Sequence, residues 1–226
     1  MSDLVLGIDT SVRVSVGLAD GERVMFSSTV GDTRSHVEKA ALAVEEILDK
    51  AGARLADVAR IVVGVGPGPF TGLRVGIVTA QGLGEALHVP VTGVCGLDAV
   101  ALASCRIVGR EFAVVADARR REVYWARYDA SGLRLEGPFV SRPVDLPSMP
   151  VVGPGLETYP DLAPGVAACQ IDAGFMAANL PALPDVGLEP LYLRQPDAES
   201  PGTRKSTLVS GHLRLPIGNV ARGGAR

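Results

Sequence analysis

The feature that most constrains the fold of this 226-residue chain is a unit that occurs twice: an apolar strand ending in aspartate, a short turn and a second strand. The first copy, LVLGIDTSVRVSVGLAD, covers residues 4–20, and the second, FAVVADARRREVYWARYD, covers residues 112–129. Both contain the apolar and β-branched runs of hairpin strands. A repeated unit at the start of each half predicts two related lobes. We predict lobes at residues 1–105 and 106–202, and a basic tail at 203–226.

The first lobe should alternate strands and helices. Apolar runs predict strands at residues 4–8, 12–19, 23–29, 60–65 and 91–94. Helical periodicity predicts helices at residues 35–51, 71–88 and 97–105. Ser35 and Glu38 are expected to form a capping box, and the Thr71 hydroxyl to cap the next helix. Residues 138–201 hold many of the 16 prolines, so the second lobe should have short elements and be reduced.

Composition excludes several classes of function. A net charge of −3 gives no general electrostatic footprint for nucleic acid. The chain has no basic segment before an apolar run at its start and no run of about 20 apolar residues, so we expect a cytoplasmic protein that does not contact membrane. The 3 cysteines lack a CxxC pair, which argues against a disulfide framework or a zinc site. The sequence contains neither GxSxG nor HExxH.

The segment VVGVGPGPFTGLRVGI, residues 62–77, leads from a strand through a Gly/Pro loop into a helix. Within that helix small residues recur every four positions and therefore share one face: Gly72, Gly76, Ala80 and Gly84. A face without large side chains permits another element to approach closely. That element is either the chain's own sheet or helix, or the helix of a partner.

Two lobes that each open with a strand ending in aspartate resemble the actin-like ATPase and sugar-kinase superfamily, a two-lobed α/β fold related to ribonuclease H. In that superfamily the hairpins grip phosphates, and the aspartates hold Mg²⁺ or the acceptor. The matching positions here are Asp9, Thr10, Ser11 and Asp117. We interpret them as vestigial phosphate loops, because Arg119 to Arg121 crowd the second turn where small residues would expose backbone amides. Asp9 is expected to accept hairpin amides instead of holding a metal.

Six segments together carry a more specific resemblance: IDTS, SHVEKA, VVGVGPGPFTGLRVGI, VPVTGVCGLDA, DARRREVYWARYD and EPLYLRQPDA. They resemble the bacterial TsaB family, also called YeaZ-like, of tRNA threonylcarbamoyladenosine biosynthesis. The resemblance covers about residues 3–200 and leaves out the basic tail. TsaB proteins are paralogues of the catalytic subunit TsaD, whose metal site uses HxxxH. In this chain His36 matches the first histidine of that motif, but Ala40 stands where the second histidine would be. The resemblance therefore implies that no metal is bound.

The resemblance implies a non-catalytic subunit that supports TsaD, with the ATPase TsaE, in transferring threonylcarbamoyl to adenosine 37 of tRNA. It implies that this chain alone binds no cofactor, that ATP and a metal belong to the partner subunits, that tRNA is met only through the complex, and that the isolated chain forms a homodimer. One alternative is a degenerate actin-like enzyme with its own kinase or ATPase activity. Another is a tRNA-binding module that uses the tail and Arg119 to Arg121.

The family's dimer contact uses two helices of the first lobe, which on this chain are residues 35–51 and 71–88. The resemblance therefore favours a partner's helix as the element that packs on the small-residue face. The predicted partner-binding residues are His36, Lys39, Ala40, Ala43, Ile47, Thr71, Gly72, Arg74, Gly76, Ala80 and Gly84.

Overall fold

The computed structural model describes residues 4–30, 36–163 and 169–194, without side chains for residues 36–39. The chain divides into a compact unit, Met1–Gln195, and a second unit, Pro196–Arg226. The predicted basic tail and the Ser35/Glu38 capping box lie outside the described residues.

The first sheet contains the predicted meander followed by two parallel strands. Its strands are β1 (Leu4–Asp9), β2 (Val14–Asp20), β3 (Arg23–Val30), β4 (Val58–Gly64) and β5 (Val91–Val94). Their order is β3-β2-β1-β4-β5. The first three pair antiparallel, whereas β4 is parallel to β1 and β5 is parallel to β4. The five strands predicted for the first lobe are thus confirmed.

Helices cover both faces of this sheet because alternate strand residues point to opposite sides. Helices α1 (His36–Ala51) and α2 (Phe70–Leu87) share a core cluster with Leu6 and Ile8. Helix α3 (Gly96–Val108) belongs to the opposite cluster, which contains Val5. The predicted cap is wrong: α2 begins at Phe70 after Pro69, which makes no side-chain capping bond, so Thr71 already lies within the first turn.

The second sheet repeats most of the first. It contains β6 (Phe112–Asp117), β7 (Val123–Tyr128), β8 (Arg134–Ser141) and β9 (Val151–Val152) in the order β8-β7-β6-β9. The strands β6, β7 and β8 are antiparallel, and β9 is parallel to β6. This arrangement reproduces β3-β2-β1-β4 and confirms the repeated unit. No strand among the described residues corresponds to β5 in this reduced sheet.

The second half also returns to the first sheet. Helix α4 (Ala173–Ala178) packs against β1, β2 and β3, and the Ala173 N–H donates to Ser15 Oγ at 3.0 Å. Gly7 and Gly17 permit this approach, since a Cβ on either would overlap the backbone of Ala173 or Gly174. The two halves are therefore interlocked, and the proposed lobe bounds stay a prediction. Among the described helices, none has both the length and the apolar character of a membrane span.

Candidate functional site

The loop after β1 is folded into the interior. Asp9 Oδ1 accepts the backbone N–H of Ser11 at 2.9 Å and its hydroxyl at 2.7 Å. The Thr10 hydroxyl donates to the Gly72 carbonyl in α2 at 2.7 Å. Asp9, Thr10 and Ser11 are all buried. This first loop therefore joins β1 to α2 through its own polar groups.

The second carboxylate oxygen of Asp9 lies against backbone. Asp9 Oδ2 is buried without a hydrogen-bond partner. A Cβ on Gly64 would overlap this oxygen, and a Cβ on Gly96 would lie 3.4 Å from it. Burial raises the pKa of Asp9 to about 6, against the opposing effect of the Ser11 hydrogen bonds. Because Asp9 is only 1% exposed, the carboxylate gives a hydrated cation no open side and does not fit a magnesium-nucleotide complex.

The small-residue face of α2 is occupied by the protein itself. A Cβ on Gly72 would lie 2.6 Å from the Thr10 carbonyl oxygen, and one on Gly76 would overlap the Thr10 hydroxyl. A Cβ on Gly84 would overlap the Val91 side chain of β5, and Ala80 is fully buried. Of the two occupants left open by the spacing, the chain itself is correct: the loop after β1 lies on Gly72 and Gly76, and strand β5 lies on Gly84. The partner-facing assignment of these four residues is wrong.

Three predicted contact residues of α1 are also core residues. Ala40, Ala43 and Ile47 are buried in the cluster beneath α1 and α2. Assigning them to a partner surface is wrong because they lie on the apolar stripe that faces the sheet. His36 and Lys39 belong to the residues whose side chains are not described, so their partner-binding role stays a prediction.

The outer sides of α1 and α2 carry two apolar side chains that the sequence reasoning missed. Leu42 is 63% exposed and Val78 is 64% exposed. Both helices cover the same face of the first sheet, so their outer sides face away from it together. Thr71 is exposed on this side of α2, and a Cβ on Gly82 would meet nothing within 4 Å. A large apolar residue outside the core stripe of an amphipathic helix was the available signal.

Arg74, although exposed, contacts another part of its own chain. Its Nε donates to Tyr192 Oη at 3.0 Å, and its guanidinium carbon lies 3.7 Å from the centre of the Phe70 ring. The rings of Phe70 and Tyr192 stack with centroids 4.7 Å apart. The Leu191 N–H donates to the Val65 carbonyl at 2.9 Å. Arg74 thereby fixes the segment around Tyr192 beside the start of α2.

The hairpin between β6 and β7 has an unusual backbone. Arg119, Arg120 and Arg121 all lie in the left-handed region, with φ of 63°, 52° and 63°. Each non-glycine residue held there costs about 1 kcal/mol. The turn is fixed because Asp117 Oδ1 accepts the Arg119 N–H at 2.9 Å and the Arg119 carbonyl accepts the Glu122 N–H at 3.0 Å. Three exposed arginine side chains therefore surround the place where a phosphate loop would present small residues.

A second buried carboxyl, Asp98 at the start of α3, was also missed by the sequence reasoning. Asp98 accepts a hydrogen bond from Tyr128 and forms an ion pair with Arg134. It borders a cavity of about 330 Å³ that Leu102, Leu133 and Arg134 also line.

Burial raises the pKa of the adjacent Cys95 thiol to about 12, so this thiol is protonated at neutral pH. The described residues contain no group of three or more His, Cys, Asp or Glu side chains that could hold a metal ion.

Two sheets of matching order, each opened by a strand that ends in aspartate before a hairpin, define an actin-like protein with a reduced second half. Residues 31–157 match the TsaD family, described as tRNA N6-adenosine threonylcarbamoyltransferase. Since this match spans more than half of the chain, the chain belongs to that family.

Individual relatives show more specifically which proteins this chain resembles. A protein of Mycobacterium tuberculosis (strain H37Rv), described as uncharacterized, is 42% identical over 210 residues, covering 86% of this chain and 93% of the relative. TsaB of Escherichia coli K12 is 40% identical over 103 residues, 44% of this chain and 45% of TsaB. The structure of YeaZ from Pseudomonas aeruginosa aligns with a TM-score of 0.67 at 28% identity, covering 84% of this chain and 100% of YeaZ.

These relatives confirm the likeness to TsaB and YeaZ that the motifs indicate. The share of the relative's length that this chain covers differs from one relative to another. A protein of Mycobacterium leprae is 38% identical over 221 residues, and this chain spans only 60% of its length.

Proposed function

We propose that this chain is a non-catalytic subunit in the synthesis of N6-threonylcarbamoyladenosine at position 37 of tRNA. In this role it supports a TsaD-like catalytic paralogue that transfers the threonylcarbamoyl group, together with a TsaE-like ATPase. The proposal extends to this chain what the names of its TsaB and TsaD relatives state. ATP and the metal would belong to the partner subunits, and the isolated chain would form a homodimer.

The enclosed Asp9 carboxyl is the observation that carries the non-catalytic role. In an actin-like enzyme the first aspartate must reach a cation or the acceptor, whereas here Gly64 and Gly96 lie against its free oxygen. The burial that raises the pKa of this carboxyl to about 6 also opposes the charged form that a metal ligand needs. Arg119 to Arg121 further crowd the second loop.

The outer sides of α1 and α2 are the surface we propose for the TsaD-like partner. The small-residue face cannot serve, because Thr10 and Val91 already fill it. Leu42 and Val78 instead offer exposed apolar area on two helices that pack side by side. Gly82 leaves the surface beside Val78 open to a facing helix. Exposed apolar side chains on a helical surface are suited to burial against another helix.

Reconstitution tests the proposal. The full chain, the TsaD-like paralogue and the TsaE-like ATPase of the same organism would be purified separately and combined with an unmodified tRNA transcript and threonylcarbamoyl adenylate. Modification at position 37 would be followed by mass spectrometry of nucleosides. We expect transfer by the full mixture, loss of transfer when this chain is omitted, and no transfer by this chain alone. Transfer by the chain alone, or undiminished transfer without it, would contradict the proposal.

Nucleotide affinity separates this role from that of a degenerate kinase or ATPase. Calorimetry of the isolated chain with Mg-ATP should give a dissociation constant weaker than about 10 μM, on the order of −7 kcal/mol. The paralogue and the ATPase, measured in the same buffer, provide the positive controls. Tighter binding by this chain would favour the enzyme alternative.

A further inference from the structure

The hairpin that replaces the second phosphate loop concentrates positive charge on an acidic protein. Arg119, Arg120 and Arg121 are consecutive and exposed in a chain whose net charge is −3. Close carboxylates reduce this charge only in part. Asp117 is half-buried below the turn and binds the Arg119 backbone N–H. Glu122 is already ion-paired with Arg194.

Several other arginines of the described chain are held by carboxylates of the protein. Ion pairs join Arg13 to Glu157, Arg54 to Asp57, Arg127 to Glu111 and Glu136, and Arg142 to Asp145. Within the described residues, no carboxylate is ion-paired with the guanidinium group of Arg119 or Arg121. These two groups therefore keep donors available for an anion from outside the molecule.

The left-handed backbone conformation of the hairpin makes any side chain at these three positions energetically unfavourable. Three successive residues with positive φ would be most easily occupied by glycine, and arginine is among the residue types that rarely adopt this conformation. The hydrogen bond from the Arg119 N–H to the Asp117 carboxylate and the one from the Glu122 N–H to the Arg119 carbonyl hold the turn, in which the three side chains are exposed. Strain of this kind is concentrated at functional sites.

We infer that Arg119, Arg120 and Arg121 form a phosphate-contact site for RNA, so that this chain itself binds the tRNA backbone within the complex. The inference rests on the proposed function for the identity of the RNA. Guanidinium groups match phosphate oxygens in geometry and stay charged at any physiological pH. A compact basic site on a protein of net charge −3 is suited to a local phosphate contact and would contribute little sequence specificity.

The salt dependence of RNA binding tests this inference. An unmodified tRNA transcript would be titrated with the full chain, alone and mixed with the TsaD-like paralogue, from about 50 to 300 mM KCl. The variant Arg119→Gly/Arg120→Gly/Arg121→Gly removes the three cations at positions whose φ suits glycine. We expect the slope of log K against log salt to fall by about 2 to 3 and the affinity near 0.1 M salt to fall about 10- to 100-fold.

Two further variants test whether a loss of RNA binding comes from these three positions or only from the change in net charge. Arg23→Gln/Arg106→Gln/Arg110→Gln removes three other exposed arginines and should keep the wild-type slope. Replacing Arg119, Arg120 and Arg121 by lysine should keep most of the slope, since the charge remains, while weakening binding through loss of paired donors. The thermal midpoint of the glycine variant should be no lower than that of the wild type, which would show that the fold is intact.

The possible results distinguish this inference from the proposed function. The inference would be overturned by an unchanged slope in the glycine variant or by an equal fall of the slope in the Arg23/Arg106/Arg110 variant. It would also be overturned if the wild-type chain bound no RNA, whether alone or mixed with the paralogue. Loss of pairing with the paralogue at unchanged RNA affinity would overturn it too and assign the arginines to an acidic protein surface. Should the wild-type chain fail to pair with the paralogue yet bind RNA through the hairpin, the proposed function would fall and the RNA site would stand.

Discussion

The Tyr128 hydroxyl donates a 2.8 Å hydrogen bond to Asp98 Oδ1 and so joins the second sheet to helix α3. The other oxygen, Oδ2, lies 3.4 Å from Arg134 Nη2. Burial raises the pKa of Asp98, and the charge of Arg134 and the Tyr128 hydrogen bond lower it again. These two partners therefore compensate for a carboxyl that is costly to place inside the protein.

Replacing Tyr128 by phenylalanine should leave Asp98 Oδ1 buried without a donor. We expect Tyr128→Phe to lower the free energy of unfolding by about 1 to 3 kcal/mol, because an unsatisfied buried acceptor loses its compensation for desolvation. Urea denaturation at neutral pH measures the change. Tyr124→Phe is the matched control: it removes a hydroxyl from the same strand that makes no hydrogen bond among the described residues. Equal effects of the two variants would contradict a special role for the Asp98 bond.

The raised pKa of Asp9 predicts an unusual pH dependence of stability. Its folded value of about 6 lies above the ordinary value of 3.8, so between these pH values the folded protein binds more protons than the unfolded chain. Stability should therefore fall as pH rises from about 4 to 6, by about 3 kcal/mol in total for this group. Asp9→Asn cannot titrate and keeps an oxygen acceptor for Ser11. The free energy difference between variant and wild type, measured by denaturation across this range, should shift in favour of the variant as pH rises. A constant difference would show that folding does not raise the pKa of Asp9.

Replacing two glycines of α2 by alanine, one at a time, should change the stability of the protein in opposite directions. A Cβ on Gly76 would overlap the Thr10 hydroxyl, whereas one on Gly82 would meet nothing within 4 Å. Gly76→Ala should lower stability by about 1 to 3 kcal/mol through overpacking. Gly82→Ala should raise it by about 0.5 to 1 kcal/mol, because alanine loses less backbone entropy in a helix. Chemical denaturation of both variants measures this contrast, and a stable Gly76→Ala protein would mean that the loop after β1 is not packed on α2.

The fold was largely predictable because its signals are local. Apolar runs ending at Asp9 and Asp117 located both hairpins, and their alignment predicted the repeated sheet that the structure contains. Strand β8 was not predicted, since Gly137 and Pro138 interrupt its pattern. A proline is tolerated there because β8 is an edge strand with one side free of ladder hydrogen bonds.

The candidate surface was less predictable because spacing does not say what lies opposite a helix face. The four-residue period correctly indicated close approach at Gly72 and Gly76, but the approaching group is Thr10, which is distant in sequence. The exposure of Leu42 and Val78 depends likewise on how α1 and α2 settle on the sheet. Such tertiary contacts are absent from any short window of sequence.

A charge at Val78 should separate folding from partner binding. Val78 is 64% exposed, so Val78→Glu should leave the fold and the thermal midpoint nearly unchanged. If the TsaD-like paralogue docks on the outer sides of α1 and α2, the buried charge should weaken pairing at least 10-fold, since an unpaired charge in an apolar contact is costly to desolvate. Size-exclusion chromatography and calorimetry of the mixed proteins measure pairing, with circular dichroism as the check on folding.

The control for this substitution is Val144→Glu, which places the same charge on a valine that is 82% exposed in a short helical turn after β8. Pairing should survive this change, because Val144 lies outside α1 and α2. Equal weakening by both variants would indicate a general effect of added negative charge on a protein of net charge −3. Full pairing by Val78→Glu would move the partner surface away from α2, and Leu42→Glu would then decide whether α1 alone carries the contact.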